Sequence, residues 1–299
     1  PGMIWGCWLI FLSGFGGAIK PPLIDNGLQV VFLTATGGYL TLLLASNILI
    51  KKKNPISNYR KYYATIGVFE FLQSTFFLYG TYILINRHPV LIPMIRIHST
   101  YLILILGLVL QAMGFANAET ITTRKVLCGL LTVIGLSILF HKQSEFDLNS
   151  RDNLGLAFLM LSTTLSSCQH FVQQRLSLKC GRDAVIAGMQ TQCLTVIILA
   201  VVLAGAADIR LLPDDAYSIL YLFIVGTLTV GLAFFARFYS YTVTGLSSFE
   251  VALRQELEHI IQVLSAILIL GATISLPSIA AIVVVVGAAV AVTPAKKST

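Results

Sequence analysis

Apolar segments of about 20 residues recur along the whole chain, and this recurrence limits the fold more strongly than any other feature of the sequence. Ten such segments can be placed, and the loops between them are short. About 20 apolar residues let one α-helix cross the hydrocarbon core of a bilayer. The sequence therefore predicts an all-α membrane protein with ten transmembrane helices. The segments are residues 3–24, 28–50, 61–85, 90–113, 123–141, 153–174, 183–206, 214–241, 246–271 and 275–293.

The composition supports the same class of protein. Hydrophobic residues make up 56% of the chain and charged residues 11%, whereas soluble domains are about 25% charged. The net charge of +7 does not indicate a nucleic-acid partner, because the basic residues lie in short loops beside apolar segments. The five cysteines show no paired spacing, so neither a disulfide framework nor a zinc site is expected.

The distribution of lysine and arginine predicts the orientation in the membrane. If the N-terminus is cytoplasmic, twelve of the 20 basic residues fall in cytoplasmic loops and five in loops on the other side. Cytoplasmic loops are normally the richer in lysine and arginine. We therefore expect an integral, multi-pass protein with both termini in the cytoplasm, while the identity of the membrane stays open. The same rule accounts for Lys296 and Lys297 near the C-terminus.

The ten segments divide into two halves with similar features. Arg96 and Arg254 are 158 residues apart, in the fourth and ninth segments, and each half ends in a short segment rich in glycine and branched apolar residues. Because five is odd, the second half must be inverted relative to the first. We expect two five-helix repeats, residues 1–145 and 146–299. Inverted repeats are typical of alternating-access transporters, whose substrate site lies near mid-membrane.

The segments that close the two halves resemble the EamA-type repeat of the drug/metabolite transporter superfamily. In the first half the resemblance lies in residues 126–135, and in the second half in residues 250–271 and 279–292. It covers nearly the whole chain and extends to transporters of the nucleotide-sugar type. It implies a solute carrier. Members of this superfamily carry nucleotide sugars, phosphorylated sugars, amino acids, drugs or other metabolites.

A charged stripe lies inside the ninth apolar segment. Glu250, Arg254, Glu258 and Gln262 follow one another at intervals of four residues, which places them on one face of a helix. Each charge at the centre of a bilayer costs about 2.5–3.5 kcal/mol, so such residues usually face a partner or an aqueous pathway. The stripe is either part of a substrate site or a structural ladder in which both carboxylates neutralise Arg254.

Three other segments supply further candidate site residues. In the third segment Glu70 and Gln73 share a face flanked by Tyr82, and in the eighth Arg237 and Tyr241 share a face. Glu70 could bind substrate or a proton, or could be the fixed partner of a structural arginine. The sixth segment carries serines, threonines, glutamines and His170, which either hold helices together or line a pore. The predicted substrate-binding residues are Arg254, Glu250, Glu258, Arg96, Arg237, Glu70, Gln73, Tyr82, Tyr241 and Gln262.

These patterns predict a secondary transporter of a small polar metabolite, and three internal arginines favour an organic anion or a zwitterion. Its partners would be the solute, the lipid bilayer and a proton or counter-substrate, with no cofactor and no nucleic acid. A membrane enzyme is the first alternative, although no nucleophile elbow or metal motif occurs in the sequence. The second is a membrane scaffold in which the internal charges only pair helices.

Overall fold

The computed structural model describes most of the helical part of the chain. It describes residues 27–49, 59–84, 95, 102–103, 105–107, 109, 112–113, 122–140, 149–180, 182–242, 248–255 and 276–292. Within these ranges the secondary structure is helical and contains no strand. The protein is therefore all-helical in the part described, as the apolar segments predict.

Nine α-helices and one π-helical segment lie in the described ranges. The segment Thr227–Leu232 is π-helical and joins α6 to α7 without a break, so that the two form one continuous rod. The helices are α1 (Gly27–Leu49), α2 (Arg60–Leu84), α3 (Thr123–Phe140), α4 (Ser150–Lys179), α5 (Arg182–Ala207), α6 (Ala216–Gly226), α7 (Ala233–Thr242), α8 (Ser248–Gln255) and α9 (Leu276–Ala291).

Most predicted apolar segments coincide with a helix. The segments at 28–50, 61–85, 123–141, 153–174, 183–206, 214–241 and 275–293 match α1 to α5, the α6–α7 rod and α9. The ninth predicted segment is represented only by α8 at its start. Segment 3–24 and most of segment 90–113 lie outside the described residues.

Three helical stretches are long and apolar enough to cross a membrane: Gly27–Ile48, Asp183–Ala207 and Ala216–Arg237. Large apolar side chains on the outer surface are consistent with a lipid environment, and α5 shows this well. Along α5, Leu194, Ile198 and Val202 are exposed, while Cys193, Val196 and Ala200 on the other face are buried. The structure is thus compatible with a membrane protein.

Local hydrogen bonds fix where several helices begin and end. The Asn149 side chain accepts from the backbone N–H of Asp152, and the Asp152 carboxylate accepts from the backbone N–H of Asn149, which forms a capping box at α4. At α6 the N–H of Ser218 donates to the Asp215 carboxylate over 2.6 Å. This bond holds the pKa of Asp215 below its usual value. Asp208 ends α5 in the left-handed region, at φ 53°.

Contacts between side chains and backbone define how neighbouring helices run. Helices α2 and α4 are antiparallel, because Glu70 contacts Gln169 and Gly80 lies against Gly155. Helices α1 and α5 are also antiparallel, and the Gln190 amide on α5 donates to the Leu42 carbonyl. Helices α3 and α9 are antiparallel as well. In contrast, α2 runs parallel to α5, and α1 runs parallel to the α6–α7 rod.

Glycine brings helix backbones into direct contact at several of these crossings, and two of them are related by a common sequence offset. A Cβ atom on Gly226 would lie 2.3 Å from the Thr34 carbonyl oxygen, and one on Gly67 would lie 2.8 Å from the Gln192 carbonyl oxygen. Thr34 and Gln192 are 158 residues apart, and Gly67 and Gly226 are 159 apart. Small residues at such crossings let membrane helices approach closely. The same kind of close crossing therefore occurs twice, at a nearly constant sequence offset.

We predict that Gly226→Ala destabilises the protein, because its methyl group would meet the α1 backbone rather than a movable side chain. Overpacking of this kind typically costs about 1–3 kcal/mol. Gly205→Ala is the matched control, since a Cβ there meets nothing within 4 Å. This control should be neutral or stabilising by up to about 1 kcal/mol. Thermal unfolding in detergent measures both, and equal effects would contradict the described crossing of α1 and α6.

Candidate functional site

Helix α4 is the centre of the candidate site, because its polar face is buried and its apolar face is exposed. Ser162, Ser167, Gln169, His170 and Gln173 are buried. Large apolar side chains are exposed on the same helix, namely Leu154, Met160, Leu161 and Leu178. The exposed charged side chains, Arg151, Arg175 and Lys179, lie towards the two ends of α4. A helix of a soluble protein normally shows the opposite arrangement. Helix α4 therefore has the pattern of a membrane helix that faces polar partners inside the bundle.

Helix α2 supplies the first of these partners. The Gln169 side-chain amide donates a short hydrogen bond to the Glu70 carboxylate. On the same side of α4, the Ser162 hydroxyl donates to the backbone carbonyl of Gln73 over 2.9 Å. Glu70 is thus held by a neutral amide rather than by an arginine among the described residues.

Helix α7 supplies the second set of partners. Arg237 Nη1 donates to Gln173 Oε1 over 3.0 Å. The buried His170 Nδ1 and Tyr241 Oη lie 3.1 Å apart and form a hydrogen bond. Arg237 and Tyr241 are four residues apart on α7, so they lie on one face of that helix. Two polar pairs therefore join α4 to α7.

Glu70 and Arg237 are bound one helical turn apart on α4, because their glutamine partners are Gln169 and Gln173. One turn of an α-helix advances about 5.4 Å. Within the described part of the chain, no ion pair joins Glu70 to Arg237. The candidate site consequently contains a negative group, Glu70, and a positive group, Arg237. They bind the side-chain amides of two residues one turn apart on α4.

Several buried polar atoms around this centre form no hydrogen bond to any described residue. They include Gln73 Oε1, Gln173 Nε2 and both side-chain amide atoms of Gln192 on α5. Gln192 is only 1% exposed. Leaving a buried polar group without a partner costs about 1–3 kcal/mol, so native structures contain few of them. Such atoms mark places where a solute or water would bind.

The structure brings together four of the ten predicted substrate-binding residues: Glu70, Gln73, Arg237 and Tyr241 all lie at the contacts of α2 and α7 with α4. Tyr82 is 67% exposed, and it stands 12 residues after Glu70 in the sequence. That separation rotates it about 120° from Glu70 around α2.

Glu250 has a charged partner on another helix. It is 6% exposed, and its carboxylate is 3.9 Å from Lys125 Nζ at the start of α3. Arg254 lies on α8, but its side chain is outside the described part of the structure. Arg96, Glu258 and Gln262 also lie outside the described residues.

The glutamines of α4 are candidate site residues whose role the sequence left open between packing helices together and lining a pore. The positions Ser162, Ser166, Gln169, Gln173 and Ser177 recur every three or four residues, which is the spacing of one helix face. This regular stripe is the signal that could have favoured an internal polar face for α4. No group of three histidine, cysteine, aspartate or glutamate side chains in the described ranges is arranged to hold a metal ion.

Comparison with known proteins shows a shared fold but no family. No family model matches the sequence. No curated protein matches it either. One protein of known crystal structure superimposes with a TM-score of 0.75, at 15% sequence identity, over 97% of each chain. The chain therefore shares its fold with that protein over nearly its whole length.

We predict opposite effects on stability for two glutamine substitutions in the site. Gln192→Met removes an amide that has no described partner, so it should leave stability unchanged or raise it by about 1–3 kcal/mol. Gln169→Met removes the donor to Glu70 and should lower stability. Thermal unfolding of the full-length protein in detergent, without added solute, measures both. Equal destabilisation by the two substitutions would show that Gln192 has a structural partner.

Proposed function

We propose that the protein is a secondary transporter that moves a small polar metabolite across a membrane by alternating access. The observation that carries the proposal is the polar face of α4, which holds Glu70 and Arg237 inside a bundle whose surface is apolar. Charged residues inside membrane bundles are expensive and commonly mark a solute or ion pathway. The solute would bind among these residues.

The directions of the helices support ten spans that cross the membrane alternately. In a chain of consecutive spans, an odd-numbered and an even-numbered span run antiparallel, and two odd or two even spans run parallel. Helices α1, α2, α4 and α5 correspond to predicted spans two, three, six and seven, and the α6–α7 rod to span eight. As this rule requires, α2 is antiparallel to α4 and parallel to α5. Likewise, α1 is antiparallel to α5 and parallel to the α6–α7 rod. So does the antiparallel pair of α3 and α9, spans five and ten.

The repeated glycine crossing supports the inverted repeat of residues 1–145 and 146–299. A two-fold axis in the membrane plane would exchange span two with span seven and span three with span eight. It would therefore convert the contact of α2 with α5 into the contact of the α6–α7 rod with α1. Gly67 against Gln192 and Gly226 against Thr34 are such a pair. Their offsets of 158 and 159 residues agree with the offset between Arg96 and Arg254.

The position of the polar centre fits a carrier built from two such repeats. Glu70 comes from the first predicted repeat, whereas Gln169, Gln173 and Arg237 come from the second. Carriers of this architecture bind their solutes at the interface of the repeats, near mid-membrane. Rocking one repeat against the other would expose Glu70 and Arg237 first to one side of the membrane and then to the other.

Counterflow into proteoliposomes tests the proposal. Full-length protein would be reconstituted into vesicles preloaded with candidate solutes, and uptake of the same labelled solutes would be followed at several pH values. The set would contain amino acids, organic acids, sugar phosphates and nucleotide sugars. We expect uptake of at least one class, above that of protein-free vesicles. No uptake of any class, at any pH, would contradict the proposal.

We predict that Glu70→Gln and Arg237→Gln each lower this uptake by at least about tenfold while the protein stays folded, because each removes a charge that the solute would need in a low-dielectric site. The matched controls are Asp214→Asn and Arg210→Gln, which remove the same charges from an ion pair that is more than 80% exposed. These controls should transport normally. If the site variants unfold and the controls do not, Glu70 and Arg237 are structural, as the scaffold alternative requires.

A further inference from the structure

We infer that the solute is a zwitterion whose cationic group binds at Glu70 and whose anionic group binds at Arg237. This inference rests on the proposed function and narrows it, because it selects between an organic anion and a zwitterion.

Each of the two charged groups of the site has a neutral amide as a hydrogen-bond partner. Among the described contacts, Glu70 accepts from the neutral Gln169 amide, and Arg237 donates to the neutral Gln173 carbonyl. Hydrogen bonds between two charged groups are stronger than bonds from a charged group to a neutral one. An ammonium group would therefore bind Glu70 more strongly than the Gln169 amide does, and a carboxylate or phosphate would bind Arg237 more strongly than the Gln173 amide does.

The buried atoms without described partners have the polarity that a zwitterion needs. Gln73 Oε1 is an acceptor, and Gln73 stands three residues after Glu70 on the same face of α2. Gln173 Nε2 is a donor, and the other amide atom of Gln173 holds Arg237. The acceptor thus accompanies the negative residue and the donor accompanies the positive one. A solute with an ammonium end and an anionic end would satisfy both atoms.

The net charge of these residues also favours a zwitterion over a simple anion. Glu70 and Arg237 together carry no net charge, and a zwitterion adds none. A simple anion would add one negative charge to a site in the membrane interior and would leave Glu70 beside it. Each unbalanced charge at such a depth costs a few kcal/mol. Gln169 and Gln173, which bind the two charged groups, are four residues apart, a rise of about 6 Å along α4. The charged groups of the solute should therefore be separated by a short chain.

A matched set of solutes tests this inference directly. Thermal shift of the full-length protein in detergent reports binding, since a ligand of the folded state raises its stability. Counterflow in proteoliposomes reports transport. The zwitterions are glycine, β-alanine, 4-aminobutanoate, 6-aminohexanoate and 2-aminoethyl phosphate. Butanoate and butylamine are the control solutes, because each keeps only one of the two charges of 4-aminobutanoate.

We expect at least one zwitterion to stabilise the protein at concentrations at least about tenfold lower than either control solute. Stabilisation by butanoate alone, or by butylamine alone, would overturn the inference, and so would the absence of any response to all five zwitterions. A zwitterion that binds but does not exchange would support the inference and contradict the proposed transport. Uptake of a solute with a single charge, without uptake of any zwitterion, would contradict the inference and support the proposed transport.

Variants assign the two ends of the solute. Glu70→Gln should remove the preference for the zwitterion over butanoate, and Arg237→Gln should remove its preference over butylamine. Gln73→Met retains both charges and should weaken binding of the zwitterion severalfold without changing that of butanoate. Asp214→Asn and Arg210→Gln should leave every preference unchanged. If the preferences survive both charge substitutions, the assignment to Glu70 and Arg237 is wrong.

Discussion

The rest of the structure depends on the side-chain hydrogen bonds that α4 makes with its neighbours. Gln169 binds Glu70 on α2, and Gln173 binds Arg237 on α7. Each bond gives a partner to a half-buried charged side chain, and an unpaired charge away from water is very costly. The bonds also determine which face of α4 is internal, and its apolar residues then form part of the outer surface. One helix therefore joins the polar residues of three helices into a single centre.

Close backbone contact gives this centre a rigid frame. Lipid is as apolar as leucine, so helices in a membrane gain little by burying apolar side chains against one another and associate mainly through tight packing. Gly226 provides such packing between α6 and α1, and Gly67 provides it between α2 and α5. The π-helical segment Thr227–Leu232 follows directly after Gly226. Insertions of this type often accompany functional sites, and Arg237 lies in the helix that follows this one.

Apolar length and charge placement predict much of the fold and part of the site. The segment at 183–206, for example, becomes α5 with nearly the predicted boundaries, because a long apolar run in a membrane has no alternative to a helix. Glu70 and Arg237 are predictable as site residues because charges are rare in such segments. Their partners Gln169 and Gln173 cannot be predicted in the same way. Periodicity places these two residues on one face of α4 but does not show which helix that face contacts. Lys125 beside Glu250 is a long-range contact of the same kind.

Cysteine accessibility from both sides of the membrane tests the central claim most directly. Gln73→Cys would be introduced into a variant whose own cysteines are replaced by alanine, and sealed proteoliposomes would be treated with a membrane-impermeant thiol reagent outside or inside. Alternating access predicts that the cysteine reacts from either side, and that transported solute slows both reactions. Tyr79→Cys, on the exposed side of α2, is the control whose labelling solute should not change. Reaction of the Gln73→Cys variant from neither side, or from one side only, would contradict the account.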